Sequence, residues 1–186
     1  MTNVKGTAIV AALRFFRERF GEDGLASILA DLDGADRAVL ADGGLVSVWY
    51  PVATLLRLMR AAEARFGTGL IHIYRHMGRA SADYGLTTVY KIFFKVGSPQ
   101  FIIARGSRVF SSYYSQGRLE VVESKAGHAA VDLLDFPDGA PEFCERIRGW
   151  MERTMELSGA KNLRSQHSLC VHRGDGVCRF EGFWEP

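Results

Sequence analysis

The last stretch of the chain, residues 167–184, constrains the fold most strongly because it predicts a hairpin that carries two cysteines. Runs with alternating apolar residues flank 173–176, Arg-Gly-Asp-Gly, a turn rich in residues that tolerate positive φ. Cys170 and Cys178 lie four residues on either side of Gly174. In an antiparallel hairpin folded about that glycine, their Cβ atoms lie roughly 4.5–5.5 Å apart. Such a pair is either two ligands of one metal ion, a disulfide or two buried structural cysteines.

Two further residues extend this pair to a possible set of four metal ligands. Cys144 is the only other cysteine, and His167 lies three residues before Cys170. Together with Cys178 they form a Cys3His set of the kind that zinc occupies in closed structural sites. Residues i and i+3 of a regular strand point to opposite faces, so His167 and Cys170 need a bulge, or a strand that starts after His167.

Alternatives to this zinc site stay open at the level of spacing. His172 is two residues from Cys170 and is a rival fourth ligand. Free cysteines are commonly buried as small hydrophobic residues without any metal. A disulfide between Cys170 and Cys178 is disfavoured in a reducing compartment.

The order and spacing of these residues, with two aromatic residues after them, carry a family resemblance. The residues concerned are Cys144, His167, Cys170, Cys178, Phe180 and Trp184. Their pattern resembles the C-terminal half of the 4-vinyl reductase domain family, the sensory module of aromatic-responsive bacterial transcription activators. The aromatic-sensing members carry a Glu where this chain has His167. The resemblance implies a fold shared with TRAPP-type vesicle-tethering subunits and, more distantly, with haem-NO-binding sensors of the NO-signalling type.

Segments 4–7, 49–51 and 113–120 extend the resemblance over nearly the whole chain. Their sequences, Val-Lys-Gly-Thr, Trp-Tyr-Pro and Tyr-Tyr-Ser-Gln-Gly-Arg-Leu-Glu, resemble an expanded family of myxobacterial paralogues. This similarity implies a fold and little biochemistry.

Composition indicates one ordinary globular domain, residues 1–186, with 47% hydrophobic and 24% charged residues. The 23 basic and 21 acidic residues give a net charge of +2, so the composition does not indicate binding to nucleic acid or to an acidic membrane. No window has the apolar length of a membrane span, and the N-terminus lacks the order of a signal peptide. Three cysteines do not make a secreted disulfide framework, so we expect a cytoplasmic protein.

Hydrophobic periodicity predicts an α+β fold. The period is helical in the N-terminal two-thirds of the chain and changes to two after residue 117, with one more helix before the final hairpin. Predicted helices cover 6–20, 23–31, 34–40, 51–66, 69–83, 86–96, 99–114 and about 138–158, and predicted strands cover 118–124, 128–135, 162–171 and 177–184. We expect the helices to pack on a roughly four-stranded antiparallel sheet.

Aromatic residues on the helices are candidates to line an apolar ligand cavity. The candidate ligand-binding residues are Tyr90, Phe93, Phe94, Phe101, Phe110, Tyr113 and Trp150. In the aromatic-sensing members of the family, a closed pocket between these helices and the sheet takes the ligand. The plain alternative is that they are ordinary core, as aromatic residues at helical spacing usually are.

Catalytic and haem sites are not predicted. There is no Gly-x-Ser-x-Gly motif, and His72 and His76 lack the Glu that follows the first His of a zincin. Haem needs a proximal histidine inside an apolar helix, and 86–114 contains none, so no haem is expected.

The combined prediction is a non-enzymatic sensory domain that holds a hydrophobic small molecule. We expect a homodimer formed through an N-terminal helical face, and a signal that passes to an unknown protein partner. The alternative is an interaction module of the TRAPP-subunit type. A reductase is a third hypothesis, and it needs a reductant site that the sequence does not indicate.

Overall fold

The computed structural model of the chain describes residues 1–67, 72–86 and 98–185. The helices are α1 (Gly6–Ala30), α2 (Gly34–Leu40), α3 (Val52–Phe66), α4 (His72–Tyr84), α5 (Pro99–Ile103), α6 (Gly106–Tyr113) and α7 (Pro141–Leu157). The strands are β1 (Asn3–Lys5), β2 (Trp49–Pro51), β3 (Arg118–Lys125), β4 (His128–Leu134), β5 (Lys161–Leu169) and β6 (Cys178–Glu185).

The predicted α+β class and the four-stranded antiparallel sheet are confirmed. The order of the sheet is β3-β4-β6-β5, so that the two hairpins pair through β4 and β6. Alternate residues of β4 and β6 face the helices, and Leu133 lies opposite Cys178 in the register. A second sheet, formed only by β1 and β2, holds the N-terminus beside α3, and the sequence did not predict it.

Two of the predicted helices have different bounds in the structure. Gly21, predicted to end the first helix, has φ of 74° and kinks α1, which then continues to Ala30. The predicted helix 99–114 is broken into α5 and α6 at Ala104 and Arg105.

Helices α4 and α7 cross in direct backbone contact because each has a glycine at the crossing point. A Cβ placed on Gly78 meets the carbonyl oxygen of Arg146 at 1.9 Å, and one placed on Gly149 meets the carbonyl oxygen of Arg75 at 2.0 Å. No other residue fits at either position without movement of a helix. The crossing fixes the position of α7, which also carries Cys144.

The main core lies where α1, α3 and α4 meet α7 and the inner face of the sheet. Its largest members include Phe16, Met59, Met77, Phe143 and Phe180. A smaller cluster packs between the C-terminal end of α7 and the far end of the sheet, and it includes Met155 and Trp184. None of the helices in the described part of the chain has the length and apolar content to cross a membrane.

Candidate metal centre and apolar cavity

The structure brings the four predicted metal ligands, Cys144, His167, Cys170 and Cys178, together in one cluster. Their ligand atoms all lie within 4.8 Å of one another, and the three cysteines are buried. The sulfurs of Cys144 and Cys178 are 3.8 Å apart. A disulfide has an S–S length of about 2.05 Å, whereas two sulfurs bound tetrahedrally to one zinc at ~2.3 Å are about 3.8 Å apart. The spacing of the sulfurs therefore fits a metal and not a disulfide.

Strand β5 supplies the bulge that the sequence required for a histidine ligand. The register of β5 on β6 shifts between His167 and Leu169, so His167 and Cys170 can approach the same point. The ring of His167 stacks on Phe180 at a centroid distance of 4.5 Å, which fixes its plane. Its Nε2 is buried and makes no hydrogen bond of good geometry. A buried imidazole nitrogen in that state, beside three thiols, is suited to bind a metal.

The turn after β5 completes the site and separates the two candidate histidines. The Asp175 carboxylate accepts a hydrogen bond from the backbone N–H of Cys170 at 2.7 Å, and Gly174 has φ of 94°. This turn leaves His172 exposed, on a short 3-10 helix at Val171–Arg173, and outside the cluster. The geometry therefore favours His167 as the fourth ligand.

The thiols of the cluster are not equivalent. The Cys144 thiol donates a hydrogen bond to Cys178, which lowers the pKa of Cys178, and His167 contributes in the same direction. The same contact raises the pKa of Cys144, which keeps its proton. Thiolate is the form that binds metals, so the site already favours one anionic ligand in the absence of an ion.

Three of the predicted ligand-binding aromatic residues, Phe110, Tyr113 and Trp150, border one small cavity of about 20 Å³ between α6 and α7. Phe101 borders neither this cavity nor the larger one described below, and the Arg105 guanidinium lies 3.4 Å from the centre of its ring. Tyr90, Phe93 and Phe94 lie outside the described residues.

A larger, almost entirely apolar cavity of about 80 Å³ lies between α7 and the inner face of the sheet. Residues bordering it include Ile103, Val131, Met155, Leu163, Phe180 and Trp184. Leu119, Trp150 and Met151 border both cavities, so the two are neighbours. The predicted ligand-binding residues include none from the sheet that borders this cavity. The alternating apolar residues of the final hairpin are the signal that could have indicated them.

Arg146 is the unusual polar residue at the smaller cavity. It is only 2% exposed, and it donates hydrogen bonds to the Tyr114 hydroxyl at 2.7 Å and the Ser81 hydroxyl at 2.9 Å. Its Nε has no hydrogen-bond partner among the described residues. Buried arginines are normally paired with a carboxylate. No local pattern distinguishes Arg146 from Arg148 and Arg153, the other two arginines of α7.

Comparison with known proteins identifies the fold. No protein-family model matches the chain, and no curated protein is detectably similar to it. An H-NOX protein from S. oneidensis in the Fe(II) ligation state superposes with a TM-score of 0.78 at 13% identity, covering 98% of this chain and 96% of that chain. The NMR structure of the SO2144 H-NOX domain from Shewanella oneidensis gives 0.75 at 14% identity, covering 97% and 98%. The Fe(II) unliganded H-NOX protein from K. algicida gives 0.73 at 11% identity, covering 98% and 97%.

These similarities show the H-NOX fold, and they confirm the predicted relation to the haem-NO-binding sensor fold. They do not bear out the names 4-vinyl reductase and TRAPP.

The prediction that no haem is expected is wrong. The similar structures are H-NOX proteins described in Fe(II) states, and one of them was solved to probe heme distortion in that family. The lack of a histidine in 86–114 is not sufficient to exclude haem, because tyrosine, methionine and cysteine also serve as haem ligands. The described residues do not themselves fit the group as placed: neither cavity is bordered by a histidine, and the larger holds about 80 Å³. The H-NOX fold therefore holds haem in the similar proteins, although the described residues of this chain form no haem-sized cavity.

Proposed function

We propose that this chain is a non-enzymatic sensory domain that holds a hydrophobic small molecule between α7 and the sheet. The observation that carries this proposal is the apolar cavity lined by α5, α7 and the inner face of the sheet. The H-NOX fold supports it, since its relatives here are proteins studied in different ligation states. No catalytic set accompanies the cavity in the part of the chain that the structure describes.

The cavity adjoins the elements best suited to transmit a signal. Ligand pockets usually have about 300–1,000 Å³, so a ligand must widen the present cavity of about 80 Å³. The short helices α5 and α6 are broken at Ala104 and Arg105, and Ile103 and Gly106 border the cavity. Movement of these helices away from the sheet is the conformational change we propose. The homodimer, the protein partner, the cytoplasmic location and the 4-vinyl reductase-like name stay predictions.

We also propose that Cys144, His167, Cys170 and Cys178 hold one structural Zn²⁺. The distances within the cluster, the unpaired Nε2 of His167 and the favoured thiolate at Cys178 support this proposal. Four protein ligands leave no open coordination position, so the metal would have no catalytic role. It would link the first turn of α7 to the end of β5 and the start of β6.

The metal proposal is tested by native mass spectrometry of the purified chain with metal analysis. We expect one zinc per chain, lost in His167→Ala and retained in the matched control His172→Ala, because only His167 lies in the cluster. Absence of metal from freshly purified protein would refute the zinc site.

The sensory proposal is tested by binding of small apolar molecules. Toluene should bind in calorimetry and change the fluorescence of Trp150 and Trp184, which both border the cavity, and Ala129→Leu, which fills the cavity from the sheet side, should weaken that binding about tenfold. Optical spectra after addition of hemin belong to the same experiment. A Soret band that is shifted and sharpened relative to free hemin would identify the hydrophobic ligand as haem. If neither apolar molecules nor hemin bind, the chain is not a ligand sensor.

A further inference from the structure

We propose that the ligand of this cavity is an anion, a small apolar carboxylate whose carboxyl group pairs with Arg146. This inference rests on the proposed ligand-binding function and names the chemistry of the ligand. It follows from the state of one buried side chain and from the shape of the cavities beside it.

Arg146 differs from the other arginines at the α4–α7 crossing. Arg153 lies 2.7 Å from Asp83, and Arg79 lies 2.7 Å from Glu156. Each of these guanidinium groups therefore has a carboxylate, although each is about one-third exposed and partly hydrated. Arg146 is the most buried of the set, and its hydrogen-bond partners among the described residues are two neutral hydroxyls.

No carboxylate of the described residues forms an ion pair with Arg146. Segments 68–71 and 87–97 contain no Asp or Glu, so their side chains have no carboxylate to offer. Burial raises the pKa of Tyr114, so this phenol stays protonated and neutral beside the guanidinium. The guanidinium group of arginine is always charged in proteins. The charge of Arg146 is therefore buried without a protein counter-ion among the described residues.

The donors of Arg146 suit a carboxylate. A guanidinium has five N–H groups in a planar fork, which binds the two oxygens of a carboxylate in parallel. Tyr114 and Ser81 take one donor each, and the Nε donor is unpaired although it is buried. Charge-assisted bonds of this type are the strong ones, and they are strongest where water is excluded.

The two neighbouring cavities define the rest of the ligand. The smaller, beside Arg146, has about 20 Å³ and receives the carboxyl group once it widens, and the larger receives an apolar body past Trp150 and Met151. An apolar cavity of about 150 Å³ takes a benzene ring. The larger cavity has about 80 Å³, so we infer a short aliphatic or single-ring acid, which requires the least widening by the proposed movement of α5 and α6.

The experiment compares matched acids and neutral molecules on the intact chain by calorimetry. The probes are benzoate, phenylacetate and butyrate, with benzamide, benzyl alcohol and toluene as their neutral counterparts. We expect benzoate to bind about tenfold or more tightly than benzamide, because the neutral amide leaves the charge of Arg146 unpaired. Arg146→Gln should abolish this preference, and Arg146→Lys should retain part of it.

Arg153→Gln is the matched control, since it removes a guanidinium from the same helix away from both cavities. It should leave the preference for benzoate unchanged. The comparison of benzoate with benzamide uses the unmodified chain, so the inference is testable even if Arg146→Gln does not fold.

The outcomes separate this inference from the function on which it rests. If benzamide and toluene bind as tightly as benzoate, the cavity is a ligand site without anion selectivity, and only the inference fails. If none of the six molecules binds, both fail. A preference for benzoate that persists in folded Arg146→Gln would overturn the assignment to Arg146. An ordered water bound to the Nε of Arg146 would then explain how this donor is satisfied.

Discussion

The backbone contact between α4 and α7 requires a residue without a side chain at Gly149. In Gly149→Ala, the new methyl group would lie 2.0 Å from the carbonyl oxygen of Arg75. Ordinary van der Waals contact begins at 3.4 Å, and the neighbour is backbone, which cannot rotate away. The two helices must therefore move apart. Gly78→Ala imposes the same movement through the carbonyl oxygen of Arg146.

The cost of this movement can be estimated from known overpacking effects. Inserting a methyl group into a packed interface costs about 1–3 kcal/mol, and a neighbour that is backbone places Gly149→Ala in the upper part of that range, about 2–3 kcal/mol. Alanine regains up to about 1 kcal/mol of helix propensity. We therefore expect Gly149→Ala to lower the free energy of unfolding by about 1–2 kcal/mol, and the melting temperature of a chain of this size by about 2–8 °C.

The assay is thermal unfolding followed by circular dichroism, with urea unfolding for the free energy. Gly34→Ala is the matched control, because Gly34 begins α2 and a Cβ there meets nothing within 4 Å. It should be neutral or stabilising by up to about 1 kcal/mol. If Gly149→Ala melts with the parent chain and with Gly34→Ala, the helices are not in backbone contact and the argument fails.

Three further predictions concern the metal cluster, an ion pair and the buried arginine. Cys178→Ser should lose zinc and lower the melting temperature of the metal-loaded chain, and a chelator should do the same to the parent but not to the variant. Hydrogen bonds from Arg57 lower the pKa of the buried Asp36 carboxyl. Asp36 should therefore contribute stability above its unfolded-state pKa that is lost as the pH falls through its folded-state pKa. Asp36→Asn, by removing that contribution, should flatten the acid limb of a stability–pH curve. Tyr114→Phe removes one acceptor from Arg146 and should cost about 1–3 kcal/mol in urea unfolding; no change would mean that water replaces the hydroxyl.

Local sequence was sufficient to predict most elements of this fold. The change from helical to strand periodicity after 117 predicted the two hairpins, and the turn at 173–176 predicted the pairing about Gly174 that places Leu169 opposite Arg179, next to Cys170 and Cys178. These features depend on residues that are close along the chain. The same reasoning failed for haem, because it required one ligand type in one stretch of sequence.

The sequence by itself determined the α+β order, the final hairpin and the three cysteines of the candidate metal cluster. Only the tertiary structure favours His167 over His172 as the fourth member, because the bulge in β5 depends on pairing with β6. It alone revealed that Arg146 is buried without a carboxylate, while Arg153 on the same helix is paired with Asp83. The physical reason is that burial and counter-ions come from elements far apart in the sequence, here α4 and α7, whose approach two glycines permit.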